Sequence, residues 1–329
     1  MTIPLELRYE YAMGGWADAI KVLLLLVREK YGAAAALEIF DMVCNEGDRV
    51  KKLTNAIRTL FNLEENDAET LGEVFDIWDE FTGIDSTILE RSKTINRRKV
   101  TKCPWVTAPR DHSEWFLPFF SIVTKTINPK ATLERPKSMC AGDSYCEYIV
   151  KIEESTQLKG EQEPMAKKLE TPCATPKRGL SWRLKSDFAI RNFTDFIRGF
   201  KYAVREKYGA AASLEIHEKY VKKGAKNITN TIRTIFKIEG NDMEALDKWW
   251  DIWWEFWGHE GIILERSKTM SRSKITKCVW KTEHKDISDW ALPFCNIVNK
   301  TINPKVTLER PKAMCAGDPY CEYITRIEE

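Results

Sequence analysis

The 329-residue sequence lacks most of the features by which a chain declares its chemistry. Near its start the longest apolar run is Val22 to Val27, bracketed by Lys21 and Arg28, far short of the roughly 20 residues that span a bilayer. The opening Met1-Thr-Ile-Pro-Leu-Glu has neither the basic region nor the small-residue cleavage site of a signal peptide. These absences predict a soluble, cytoplasmic protein without a membrane partner. An excess of one charge is missing too. Fifty-one Lys and Arg oppose 49 Asp and Glu, which leaves no strongly basic surface for nucleic acid. Gly-x-Gly-x-x-Gly, Gly-Lys-Ser/Thr, Gly-x-Ser-x-Gly and His-Glu-x-x-His are all absent, so nucleotide cofactors and standard serine or zincin hydrolysis lack support. Nine cysteines are too sparse for a disulfide scaffold, and in a reducing compartment they read as thiols, ligands or nucleophiles.

What the chain does contain is itself, twice. Residues 125–151 and 300–326 align at a shift of 175, with 22 of 27 positions identical. Before residue 47 the shift becomes 177, because the second copy is two residues shorter. The period far exceeds that of a solenoid. The expected organisation is a first copy over 1–154, a linker over 155–181 and a second copy over 182–329. The linker reading rests on Glu161, Gln162, Glu163, Pro164, Pro172 and Pro176.

Each copy has a helical front and a strand-rich back. In the first, residues 15–30, 33–45, 48–62 and 67–82 show helical spacing and lack Pro. Strand pairs are expected over 87–95 and 98–106, turning at Asn96 and Arg97, and over 130–136 and 145–152. A helix is expected between them from Trp115 to Thr126, capped by Ser113 and stopped at Asn128-Pro129. The expected class is α+β: helices followed by a ββαββ antiparallel sheet, in tandem.

The four histidines do not recur: His112, His217, His259 and His284 align with Ile287, Phe40, Ile84 and Pro109. A mechanism common to both copies therefore cannot use histidine as base or ligand. Cys103, Cys140 and Cys146 do recur, as Cys278, Cys315 and Cys321. Three thiols per copy suit three of the four positions of a tetrahedral zinc site, with Asp143 or Glu147 completing it. Buried small apolar residues are the competing reading. Convergence of each trio in space is expected. Asp76 and Glu80 recur as Asp251 and Glu255, four apart on one helix face; lining a pocket, they would form an acid/base pair, and otherwise a solvated face. Arg91 and Arg266 are candidates to clamp a substrate carboxylate, with a structural ion pair as the competing and more common reading. In the second copy Trp250, Trp253, Trp254 and Trp257 form a stripe at i, i+3, i+4 and i+7. Such a stripe packs a core, lines a ligand pocket or joins two halves.

The segment Lys102-Cys103-Pro104-Trp105, followed by Arg135-Pro136 and Cys140-x-Gly142-Asp143-x-x-Cys146-Glu147-Tyr148, resembles the L-2-amino-thiazoline-4-carboxylic acid hydrolase-like family. Its ending is also similar to the four-vinyl-reductase domains. The resemblance implies hydrolytic opening of a small cyclic amidine or related heterocycle, a C–N bond cleavage, with Asp143, Glu147, Asp318 and Glu322 near the chemistry. The sister domains imply instead a small-molecule sensor or carrier, with a cavity between helices and sheet and a cysteine-bound zinc. An interaction module is the third reading, and a homodimer stays open. The second copy departs from the pattern at Cys278-Val279-Trp280, where Pro104 has no counterpart.

Overall fold

In the computed structural model, residues 3–106, 114, 116–153 and 168–328 are described. Two compact units result, one of Ala12–Ala189 and one of Met1–Tyr11 with Ile190–Glu329; they are called here the first and second unit. Both are α+β, with helices set on an antiparallel sheet.

The helices begin and end where side-chain chemistry dictates. In the first repeat they are α1 (Leu5–Tyr31), α2 (Ala33–Asn45), α3 (Arg49–Phe61) and α4 (Ala68–Thr82). Asp67 caps α4 by accepting the Thr70 N–H at 2.8 Å, and Gly83, at φ 70°, ends it in the left-handed conformation that a side chain resists. Between α2 and α3 the backbone breaks at Gly47 and Asp48, both at φ near 55°. The second copy lacks two residues at this point, and there one helix, α7 (Ala210–Ile235), runs straight through. It follows α6 (Trp182–Tyr208) and precedes α8 (Met243–Trp257).

The first sheet contains β1 (Asp85–Arg91), β2 (Ile95–Lys102), β3 (Ala131–Lys137), β4 (Cys146–Ile152) and β5 (Lys168–Ala174), in the order β3-β4-β2-β1-β5. The helix α5 (Leu117–Ile127) joins β2 to β3; Ser113 and Trp115 lie outside the described residues. The turn between β1 and β2 falls at Ser92–Thr94 rather than at Asn96–Arg97. Ser92 Oγ accepts the N–H groups of Thr94 and Ile95 at 3.3 and 3.2 Å, closing a serine turn, while Asn96 is buried within the strand. In the second unit β6 (Glu260–Arg266), β7 (Met270–Lys277), α9 (Leu292–Ile302), β8 (Val306–Lys312) and β9 (Cys321–Ile327) repeat the ββαββ pattern, in the order β6-β7-β9-β8.

Strand β5 comes from the stretch expected to be a linker. It pairs antiparallel with β1, Ile88 opposite Cys173 and Thr87 opposite Ala174. It is an edge strand, the position in a sheet where Pro172 is tolerated. Among the described residues no helix is long and apolar enough to cross a membrane.

Candidate functional site

The carboxylates of the repeated Gly-Asp-x-x-Cys-Glu segment are held by their own backbone and neighbours. Asp143 accepts the Ser138 N–H at 2.8 Å, and Asp318 accepts the Ala313 N–H at the same distance. Each carboxylate thus clamps the turn between two strands. Glu147 is buried and pairs with Arg97 at 2.6 Å; Glu322 is buried and pairs with Arg272 at 2.6 Å. These are cross-strand ion pairs, identical in both repeats.

The thiol trios lie within electrostatic reach of one another. Burial pushes Cys103 up to about 12, and Cys146 and Cys140 push the same way. Burial likewise pushes Cys278 up to about 12, with Cys321 and Cys315 adding to it. Cys146 and Cys321 are raised by burial too, although each sulfur accepts a backbone N–H, from Met139 at 3.2 Å and Met314 at 3.3 Å. Nucleophilic attack requires the thiolate, which burial disfavours at Cys103, Cys146, Cys278 and Cys321. Among the described residues no group of three or more His, Cys, Asp or Glu is gathered to hold a metal ion.

Asp76, Glu80 and Arg91 enter two separate networks. Arg91 grips Asp76 with both terminal nitrogens at 2.9 Å. Arg98 also bonds Asp76 and reaches Asp79 at 2.9 Å and the Gly72 carbonyl at 3.1 Å. Ser86 donates to Asp79 at 2.6 Å. Asp76, Asp79 and Arg98 are all buried. Glu80 faces elsewhere: it accepts the N–H groups of Arg178 and Leu180 at 2.6 and 2.7 Å and pairs with Lys185 at 3.1 Å. These bonds hold its carboxyl below the usual range despite burial. Its repeat counterpart Glu255 does the matching task, accepting the Ile3 N–H at 2.7 Å.

The second repeat rebuilds the Asp–Arg network with other residues. Arg266 pairs not with Asp251, which is exposed, but with Asp247 at 2.5 Å, one helical turn earlier. The tryptophans of α8 are taken up in packing. Trp249 is fully buried and stacks on Trp253 with centroids 5.3 Å apart. Trp253 meets Phe294 at 4.7 Å, and Trp257 meets Trp280 at 5.2 Å. Trp250 donates its indole N–H to Asn299 at 2.9 Å, and Trp254 lies against Gly261.

The second unit also holds a site that motif reading passed over. Lys201 on α6 is 2% exposed, and its amine has no hydrogen-bond partner. Its Nζ lies 3.1 Å from the centroid of the Trp290 ring. His217 on α7 is buried, neither ring nitrogen has a hydrogen-bond partner, and its ring stands edge-on to Trp290 at 4.8 Å. Burial holds both groups well below their usual ranges. The charges of Cys315 and Cys278 pull Lys201 back upward and that of Arg198 pushes it down, while Lys201 itself lowers His217. Burial thus disfavours the charged forms of an amine and an imidazole set against one indole. Around them, Cys315 accepts the Thr282 N–H at 3.3 Å, and the Tyr202 hydroxyl lies 3.0 Å from the Thr282 hydroxyl. In the first repeat Leu24 and Phe40 occupy the positions of Lys201 and His217, and both are buried. The sequence signal for this site was the replacement of two apolar core positions by ionisable ones in one copy.

The chain matches no protein-family model, no curated protein and no solved structure.

Proposed function

We propose that this protein is a small-molecule carrier or sensor whose ligand site lies in the second unit, around Lys201, His217 and Trp290. The observation that carries the reading is Lys201, an amine buried without a hydrogen-bond partner at a position where the other repeat has Leu24. An unpaired buried polar group costs about 1–3 kcal/mol. A duplicated fold that is complete with leucine has no structural use for that cost, so a ligand supplies the reason. Unpartnered His217 doubles the argument. The resemblance to four-vinyl-reductase domains agrees with a binding role.

Hydrolysis of a small heterocycle is the second reading. It is favoured by His217, a neutral imidazole able to take a proton from water. The repeated carboxylates Asp143, Glu147, Asp318 and Glu322 support it less, because they are spent on turns and ion pairs in both copies.

The test exchanges the two residues for those of the first repeat, Lys201→Leu with His217→Phe, in the full chain. The expected result is a gain in stability of about 1–3 kcal/mol per residue, together with loss of thermal stabilisation by small carbonyl and heterocyclic compounds. Ligand-induced stabilisation unchanged in the double variant would overturn the proposal.

A further inference from the structure

We infer that Lys201 is an imine-forming lysine that captures a small aldehyde or ketone carrying a flat apolar group, an inference that rests on the reading of the second unit as a small-molecule binder.

The argument begins with what an amine can do in this setting. A lysine on the surface is an ammonium ion with no free lone pair. Lys201 is buried in the second unit, lacks a carboxylate partner and faces the Trp290 ring. Desolvation disfavours its charged form, the standard route by which a lysine becomes a nucleophile toward carbonyl carbon. The groups whose charge it feels are Cys315, Cys278 and Arg198; none is a carboxylate, and Arg198 opposes a second positive charge. The walls select the ligand. Trp290, Trp280 at 6.0 Å from it, and the His217 ring make an aromatic surround suited to a planar, uncharged substituent.

The chemistry closes without an outside reagent. The Nζ lone pair attacks the carbonyl carbon and forms an N–C bond, while the C=O π pair moves to oxygen. One amine proton passes to that oxygen, giving a carbinolamine. The remaining N–H proton of the carbinolamine passes to its hydroxyl. The C–O bond breaks, the nitrogen pair forms the C=N bond, and water leaves. Nothing is oxidised or reduced. The first unit offers Leu24 at this position and cannot perform the step.

The test uses the full-length wild-type protein, benzaldehyde and sodium cyanoborohydride at pH 7, with peptide mass spectrometry to locate the benzylated lysines. Each pH unit by which an amine is depressed raises its free-base fraction about tenfold. Lys201 is therefore expected to label at least about tenfold faster than the surface lysines, and Lys201→Leu to abolish that fast phase alone. Labelling confined to surface lysines overturns the inference. Benzaldehyde without reductant separates the two levels of argument. If it raises the melting temperature of the wild type but not of the Lys201→Leu, His217→Phe variant, and no adduct is trapped on Lys201, the binding site stands and imine formation falls. If it neither stabilises the protein nor labels Lys201, both fall.

Discussion

Asp79 and Trp254 hold the same position on the fourth helix of the two repeats, yet one is a buried charge and the other a buried indole. In the first unit Asp79 is matched to Arg98 and Ser86. In the second those partners are Ser273 and Gly261. The three positions have changed as a set. Trp254 needs the room: a Cβ on Gly261 would lie 2.6 Å from its ring. A similar exchange runs two turns away. Gly72 leaves space for Asn96, whose amide nitrogen would meet a Cβ there at 2.0 Å, and Arg91 turns to Asp76. With Asp247 in place of Gly72 and Ser271 in place of Asn96, Arg266 turns to Asp247 instead. One fold thus admits a polar and an aromatic solution at its helix–sheet junction, provided neighbours shrink or grow together. This accounts for the tryptophan excess of α8 as packing. It also isolates Lys201 and His217, which replace Leu24 and Phe40 without any compensating partner.

The largest effect expected from breaking this comparison comes from stranding a charge. Arg98→Ser installs the second-repeat residue without its companions and leaves the buried Asp79 with no opposite charge on that side, held only by the Ser86 hydroxyl. The cost should be about 3–5 kcal/mol at pH 7, read from hydrogen exchange of the α4 amides in the full chain. Removing both charges, Asp79→Leu with Arg98→Met, should bring the cost within about 1–2 kcal/mol of wild type, because Asp76 keeps Arg91. A single variant costing no more than the double would show that the pair is not a unit.

The repeat, the α+β class and the antiparallel ββαββ order were legible because identity at a fixed shift and alternating patterns need only local information. Helix limits were legible where a cap marks them, as at Asp67. Strand β5 was not, since Pro172 and its charged neighbours read as linker, and only an available sheet edge makes them a strand. Nor was the packing role of Trp254 legible from its own helix: the deciding residues, Gly261 and Ser273, lie on two strands. Lys201 was not read from the sequence at all, because a lysine in place of Leu24 belongs to no motif. His217 drew notice only as a lone histidine, and its meaning appears once Lys201 and Trp290 stand beside it.

Titration sharpens the same contrast. Burial raises the Asp79 carboxyl to about 6, against the pull of Arg98 and the Ser86 hydrogen bond, while an unfolded aspartate sits near 3.9. The folded state therefore binds this proton more tightly than the unfolded state. The contribution is fully present below about pH 4 and is lost as the pH rises through about 6, a change of about 2–3 kcal/mol. The α4 region of the wild type should lose that much stability between pH 4 and 7 relative to Asp79→Asn. The α8 region, with Trp254 at this position, should show no such difference between the two proteins. A flat difference for α4 would mean that Arg98 keeps Asp79 ionised throughout.

The smallest effect tests whether Trp254 and Gly261 are coupled. Gly261→Ala adds one methyl group against the face of a buried indole, and overpacking of this kind costs about 1–3 kcal/mol. The indole belongs to an aromatic helix packed along its length, so it has little freedom to retreat. In a Trp254→Leu background the same alanine meets a smaller, more adaptable side chain, and its cost should fall below about 0.5 kcal/mol. The difference between the two backgrounds is the coupling energy of the pair. In the first unit the matching position is Ser86, whose side chain is welcome because Asp79 accepts its hydrogen bond. Converting the second unit to that set, with Trp254→Asp, Gly261→Ser and Ser273→Arg together, should recover more stability than the sum of the three single changes predicts. Strict additivity across the three would refute the idea that these positions change as a set, and would leave Gly261 as a strand glycine without a partner.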